Sequence, residues 1–205
     1  NTININNSNI NANGNLTLLS DNYNELTSYI TDNQGFGAVV WDNLSANNIY
    51  NSSAGINFKD SSIKANNINI NSTSFVGIPK NKTMEYKNDA GFAVLVDGGT
   101  AKANNTLEQT STIDFDNTTL NAANNLALST NTNSLFKQEI ETSARSVVIS
   151  VARNSGKIEV NNTNTIDIDS NFINERPNLL FNNKEEKKYF IKRNNSINEI
   201  NKMNL

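Results

Sequence analysis

The chain has no cysteine and no histidine among its 205 residues, only two prolines, and a single tryptophan. Without cysteine there is neither a disulfide nor thiolate chemistry. Without histidine the usual neutral-pH base and the commonest metal ligand are missing. Most standard catalytic constellations are thereby excluded, and the sequence assigns no catalytic, cofactor or metal residue. A secreted chain free of disulfides also suits export through an outer-membrane pore, where a bridge formed in the periplasm would obstruct threading. Aromatic residues are few, at 7%, within a hydrophobic share of 36%. That is thin for a wide globular core but enough for a narrow column of Ile, Leu and Val. Charge is scarce too: the net charge is −3, with an acidic excess up to residue 176 and a basic excess beyond it. An acidic body substitutes poorly for the counterions around phosphate, which argues against a nucleic-acid partner. The sequence shows no signal peptide and no apolar run of membrane-spanning length, and it starts in mid-pattern, as a piece of a larger protein would.

Asparagine is abundant, at about a fifth of all residues. It tolerates the left-handed backbone region and hydrogen-bonds its own backbone in tight turns, so a chain of many short strands and turns absorbs it well. Identical Asn positions in successive strands, about 4.7 to 4.8 Å apart, also form side-chain amide ladders. A solenoid supplies that spacing within one chain. The competing reading is an Asn-rich disordered tract, and apolar periodicity decides against it.

One segment recurs three times. Its first copy reads Ile3-x-Ile5, Ile10-x-Ala12, Leu16-x-Leu18; the second reads Ile56-x-Phe58, Ile63-x-Ala65, Ile68-x-Ile70; the third reads Ile113-x-Phe115, Leu120-x-Ala122, Leu126-x-Leu128. Each apolar-x-apolar triplet puts two side chains on one face of a strand. The polar trios Asn6-Asn7-Ser8, Lys59-Asp60-Ser61 and Asp116-Asn117-Thr118 have the composition of turns. The copies start near residues 3, 56 and 113, with a partial copy from Ile158-x-Val160 through Ile166-x-Ile168. The period of about 55 residues exceeds the roughly 20 to 30 of an ordinary solenoid coil, which predicts two or more coils per repeat. A second element recurs more loosely as Gly37 to Asp42, Phe92 to Asp97 and Ser146 to Val151, and its continuous apolar character predicts the most buried strands. Ser134 to Glu141 has helix-compatible spacing at Leu135, Phe136 and Ile140, which predicts a short helix or loop excursion. The expected division is a β-solenoid over residues 1–174 and an irregular charged tail over 175–205, in which Lys184 to Ile191 is at best a marginal helix.

The segments Ile10 to Leu18 and Ser62 to Ile70 resemble passenger repeats of bacterial type V secreted adhesins, both autotransporters and filamentous-haemagglutinin-like proteins. The resemblance covers about residues 1 to 170. It implies an all-β fold, a right-handed parallel β-helix with Asn-rich turns. It further implies export across the outer membrane and a non-enzymatic role in attachment, or as the stalk of an adhesin, at the surface of a Gram-negative bacterium. Partners would be surface glycans or proteins, or further copies of the chain. Contact with the outer membrane itself would fall to segments outside this chain.

Two rivals come from other classes. Asp114-x-Asp116 and Asp167-x-Asp169 offer paired carboxylates of the kind used by polysaccharide-degrading β-helix enzymes. With Ile113, Phe115, Ile166 and Ile168 facing inward, however, both pairs project into solvent. A toxin-like passenger is the other rival. Asp97-Gly98-Gly99-Thr100 lacks the spacing of a Ca²⁺ or phosphate loop and reads as a strand-ending turn. The ligand-binding candidates are Trp41, Asp42 and Tyr50, since an aromatic beside a carboxylate is a common platform for sugars. Core packing competes, because Trp41 aligns roughly with the apolar Val96.

Overall fold

The computed structural model describes the backbone of residues 1–33, 35–168, 178–193 and 196–202, and side chains up to residue 168 apart from residue 34. Every regular element among the described residues is a strand: β1 (Thr2–Asn6), β2 (Asn9–Asn11), β3 (Asn15–Glu25), β4 (Tyr29–Asn33), β5 (Phe36–Lys59), β6 (Ser62–Gly77), β7 (Met84–Asp89), β8 (Phe92–Asp116), β9 (Thr119–Ser143), β10 (Ile149–Ile168), β11 (Asn178–Arg193) and β12 (Ser196–Lys202). The chain is a parallel β-solenoid of two facing sheets. One sheet stacks β1, β5, β8 and β10; the other stacks β2 to β4, then β6 and β7, then β9 and β11, with β12 returning antiparallel along β11.

The repeat aligns residue for residue. Ile3 faces Ile56, Ile56 faces Ile113 and Ile113 faces Ile166, while Ile10 faces Ile63 and Ile63 faces Leu120. Each repeat is therefore one wide coil, which corrects the expectation of two or more. The strands are simply long: β8 and β9 have 25 residues each, which at about 3.3 Å per residue gives a flattened section roughly 80 Å across. The fourth copy begins at Ile166, because Ile158 and Val160 lie opposite Asn105 and Leu107, one stretch earlier.

The predicted turns fold alike in every coil. Asn7, Asp60 and Asn117 have φ of 48°, 50° and 47°, and the next residue's hydroxyl closes the turn onto the carbonyl before it: Ser8 to Asn6 at 2.8 Å, Ser61 to Lys59 at 2.8 Å, Thr118 to Asp116 at 2.9 Å. Short polar side chains bear a positive φ better than others. Amide ladders join the coils at Asn4 and Asn57 (2.9 Å), Asn47 and Asn104 (2.8 Å), and Asn67 with both Asn15 (2.6 Å) and Asn125 (2.7 Å).

The space between the sheets is filled in zones. Next to these turns an apolar cluster holds Ile56, Phe58, Ile63, Ile68, Ile70 and their counterparts in the next coil, with Phe58 and Phe115 stacked at 4.8 Å. A polar belt follows. Ser52 meets Ser74 at 2.8 Å, the Ser111 hydroxyl donates to the Ser72 carbonyl at 2.7 Å, and Gln109 donates to the Ser74 and Asn133 carbonyls at 3.2 Å each. Direct contact between such short side chains means the sheets approach more closely here than the usual 10 Å or so. A second apolar cluster around Leu44, Tyr86, Leu107, Phe136 and Ile140 lies beyond the belt, with the hydrogen-bonded set Asn48, Tyr86, Asn105 and Gln138 running through it.

Two local expectations are corrected. Ser134 to Glu141 is the interior of β9, with Ser134, Phe136, Gln138 and Ile140 all buried. Two of the four inward residues are polar, which hid the period of two. The segment over 175–205, expected to be irregular, carries β11 and β12, and β11 pairs with the edge of β9 through Leu179 to Leu126, Phe181 to Leu128 and Tyr189 to Phe136. An open sheet edge supplies the hydrogen bonds that the charged segment lacks by itself. The boundary placed at residue 174, like Asp169, lies outside the described residues.

Candidate functional site

The segments expected to be most buried lie instead at the open end of the section, with much of their apolar surface in water. Phe36 is 75% exposed, Val39 62%, Val147 73% and Val148 64%. Within the strands, period-two geometry turns only every other residue of a continuous apolar run inward, so the rest face outward unless something covers them; Val147 and Val148 lie in the bend that precedes β10. The outward residues form columns across rungs: Val39, Val96 and Ile149 are in register, and Phe36 stacks on Phe92 with ring centroids 5.7 Å apart and planes 5° apart.

Behind this apolar end sits a buried polar row. Asp42, Asn88 and Asp97 are all at most 7% exposed. Asn88 donates to the Asp42 carbonyl (3.3 Å) and the Thr100 carbonyl (3.0 Å), and the Asp97 carboxylate accepts from the Arg145 backbone N–H. Arg145 in turn pairs with Asp89 at 3.6 Å. These bonds fix the connection between β9 and β10, and with it the position of Val147 and Val148. Asp97-Gly98-Gly99-Thr100, read as a strand-ending turn, is the interior of β8.

The three ligand candidates are separated. Asp42 is buried and bonds its own chain, its Oδ1 accepting from the Asn43 N–H at 2.8 Å. Tyr50 packs inward against the second cluster, and its hydroxyl is pushed up to about 12 by burial and by the neighbouring Tyr86. Trp41 alone faces outward, 49% exposed. Its partner on the next rung is Gly98, since a bulge between Gly37 and Val39 shifts the register and puts Val39 opposite Val96. The six-membered ring of Trp41 occupies the space above Gly98 that any Cβ there would fill. Tryptophan and glycine thus form one flat feature, which the sequence alignment missed because of the bulge.

The outward positions beside Trp41 are polar and basic. Thr100 donates to Asn43 Oδ1 at 2.6 Å. Lys102, Arg153 and Lys157 are exposed on the same face, and among the described residues Lys157 alone of the three is paired, to Glu159 at 2.5 Å, which holds the Glu159 carboxyl below its usual range. A second aromatic column, Tyr23 stacked on Phe75 at 4.6 Å, lies on the other sheet, with the Phe75 ring over Gly77. A cavity of about 250 Å³ opens at the loop after β6, lined by Ile78, Pro79, Leu135 and the lysines 80, 82 and 137.

Asp114 and Asp167 face solvent in adjacent rungs, and Asp116 pairs with Lys59 at 3.5 Å. Among the described residues no three acidic groups converge on a metal position. Comparison of the chain with family models, with curated proteins and with solved structures finds no match.

Proposed function

We propose that this chain is a segment of an extracellular attachment protein of the bacterial type V secreted kind, in which the solenoid displays a repeated side surface to a partner. The observation that carries this reading is the open-end ladder. Apolar side chains point outward at equivalent positions of three successive rungs, and aromatic ones at two, held there by a buried hydrogen-bonded row. Exposed apolar patches of this kind mark interaction sites. Repetition along the axis supports the same reading, since weak contacts at a fixed spacing combine by multivalency without any deep pocket. The Asn-rich ladders suit a rigid stalk, and the absence of cysteine from the sequence suits passage through a pore in the unfolded state.

The test is adhesion by the chain itself. Inert beads coated with the purified protein should be retained on cultured epithelial cells or on a bacterial lawn well above albumin-coated beads. Beads carrying Phe36→Asp with Val148→Asp should lose most of that excess. Retention no better than albumin on every surface would sink the reading.

A further inference from the structure

We infer that the outward face around Trp41 is a binding subsite for an anionic polysaccharide, in which a pyranose ring stacks on the Trp41 indole and its carboxylate or sulfate pairs with Arg153 and Lys102. The inference deepens the attachment reading above by naming the ligand class of one part of that surface.

Three observations converge. Trp41 lies across the strand junction over Gly98, where no side chain separates ring from backbone, and yet half of its surface remains in water. An aromatic ring supported from below and open above offers a large, pre-organised apolar area for the C–H face of a sugar, and burying it there costs little side-chain freedom. Next, the polar pair Asn43 and Thr100 borders the ring in the direction of the sealed end. Its unused amide hydrogens and hydroxyl lone pairs suit sugar hydroxyls.

Charge supplies the third observation. Over the outward positions from 39 to 47, from 96 to 104 and from 149 to 157, the ionisable residues are Lys102, Arg153 and Lys157, with no acid among them. The protein as a whole is net negative, so this cationic area is local. Among the described residues neither Lys102 nor Arg153 has an ion-pair partner, whereas Lys157 is neutralised by Glu159. Arg153 stands one rung from Gly98 and two residues along, which places its Cα about 8 Å from that of Gly98. A pyranose on the indole would hold its acidic substituent within reach of that guanidinium, whose fork matches a carboxylate or sulfate.

Trp41 is the only tryptophan in the chain, so intrinsic fluorescence reads the subsite directly. The full chain is titrated with an oligogalacturonate hexamer, a chondroitin sulfate hexasaccharide and, as the neutral arm, maltohexaose. A saturable change with either acidic sugar and none with the neutral one is expected; a response to oligogalacturonate assigns the carboxylate, and a response to chondroitin sulfate alone, which carries both groups, assigns the sulfate. By calorimetry, Trp41→Ala and Arg153→Gln should each weaken binding about ten-fold. Both residues are exposed, and an unchanged circular dichroism spectrum verifies the fold. Gly98→Val, whose side chain would displace the indole from its seat, should weaken binding although Trp41, Lys102 and Arg153 are all retained in the sequence.

Equal response to maltohexaose would overturn the proposal, as would no saturable signal up to about 10 mM of either acidic sugar. So would a loss caused by Lys80→Gln with Lys82→Gln and not by the Trp41 and Arg153 variants, which would move the site to the loop cavity. The outcomes separate this inference from the attachment reading. Bead adhesion that survives Trp41→Ala without any sugar response leaves attachment standing and removes the subsite. A specific sugar response without bead adhesion does the reverse.

Discussion

Both ends of the flattened coil are built on Ile, Val, Leu and Phe, and they use them in opposite ways. At the sealed end apolar residues alternate with polar ones, each coil turns through the same two-residue connection, and Ile56, Phe58, Ile113 and Phe115 are at most 1% exposed. At the open end apolar residues run consecutively, each coil connects differently, and half or more of every run is left in water. What separates burial from display is the order of the residues along the strand. In a two-sheet solenoid only alternate positions have an inside to go to.

That contrast predicts its own largest effect. Phe115→Ala removes a fully buried ring stacked on Phe58 and should cost about 3–5 kcal/mol in urea denaturation. Phe92→Ala, which removes an equally large ring stacked on Phe36 but 40% exposed, should cost far less. Equal losses would mean that the open end is covered in the folded protein and would dissolve the comparison.

The next effect concerns the connection that makes the sealed end regular. Asn117→Val places a β-branched residue at a φ of 47° and removes the 2.7 Å hydrogen bond to Asp60 Oδ1. A loss of about 1–2 kcal/mol is expected, against a change within about 0.5 kcal/mol for Val148→Thr in an exposed open-end connection. The measurement is again the denaturation midpoint.

The sealed end was legible in the sequence for a physical reason: strict alternation and one turn chemistry leave little choice of structure. Ile3, Ile56 and Ile113, the three polar trios and the Asn ladders all sit where pattern alone places them. Coil width was not legible, because the polar belt of Ser52, Ser74, Gln109 and Ser111 looks like loop material until both sheets are seen to bond through it. The same disguise hid β9, where Gln138 fills an inward position by donating to the Ala103 carbonyl at 3.1 Å. Trp41 was singled out with two residues that point the other way, since a one-residue bulge decides its neighbour and leaves no trace in composition. Adhesion, export and partner were not legible in the pattern, because they concern what meets the surface and the pattern reports what fills the interior.

A third effect is confined to alkaline solution and to the cluster nearer the open end. Tyr50 has its hydroxyl raised to about 12, from 10 in the unfolded chain, by burial and by Tyr86. A raised folded value means that the neutral form is favoured by folding. The associated stability is complete below pH 10 and is lost as pH climbs from 10 towards 12. Tyr50→Phe should flatten that part of the stability profile while leaving the profile below pH 9 parallel to the parent. An unchanged alkaline slope would show that the ring is solvated in the folded state.

The smallest expected change in stability belongs to the surface on which the functional reading depends. Val39→Ser, Phe92→Ser and Val148→Ser together remove apolar area from three rungs of the open end without touching the row of Asp42, Asn88 and Asp97 behind it. The summed cost should stay within about 1 kcal/mol, because each side chain already meets water in the folded state. Binding of an apolar dye, and any concentration-dependent association, should nevertheless fall sharply, since both depend on the continuous patch. A variant that kept the dye signal while losing stability would reverse the assignment of the two ends. It would mean that these columns hold the coils together and that the surface for display lies elsewhere on the solenoid.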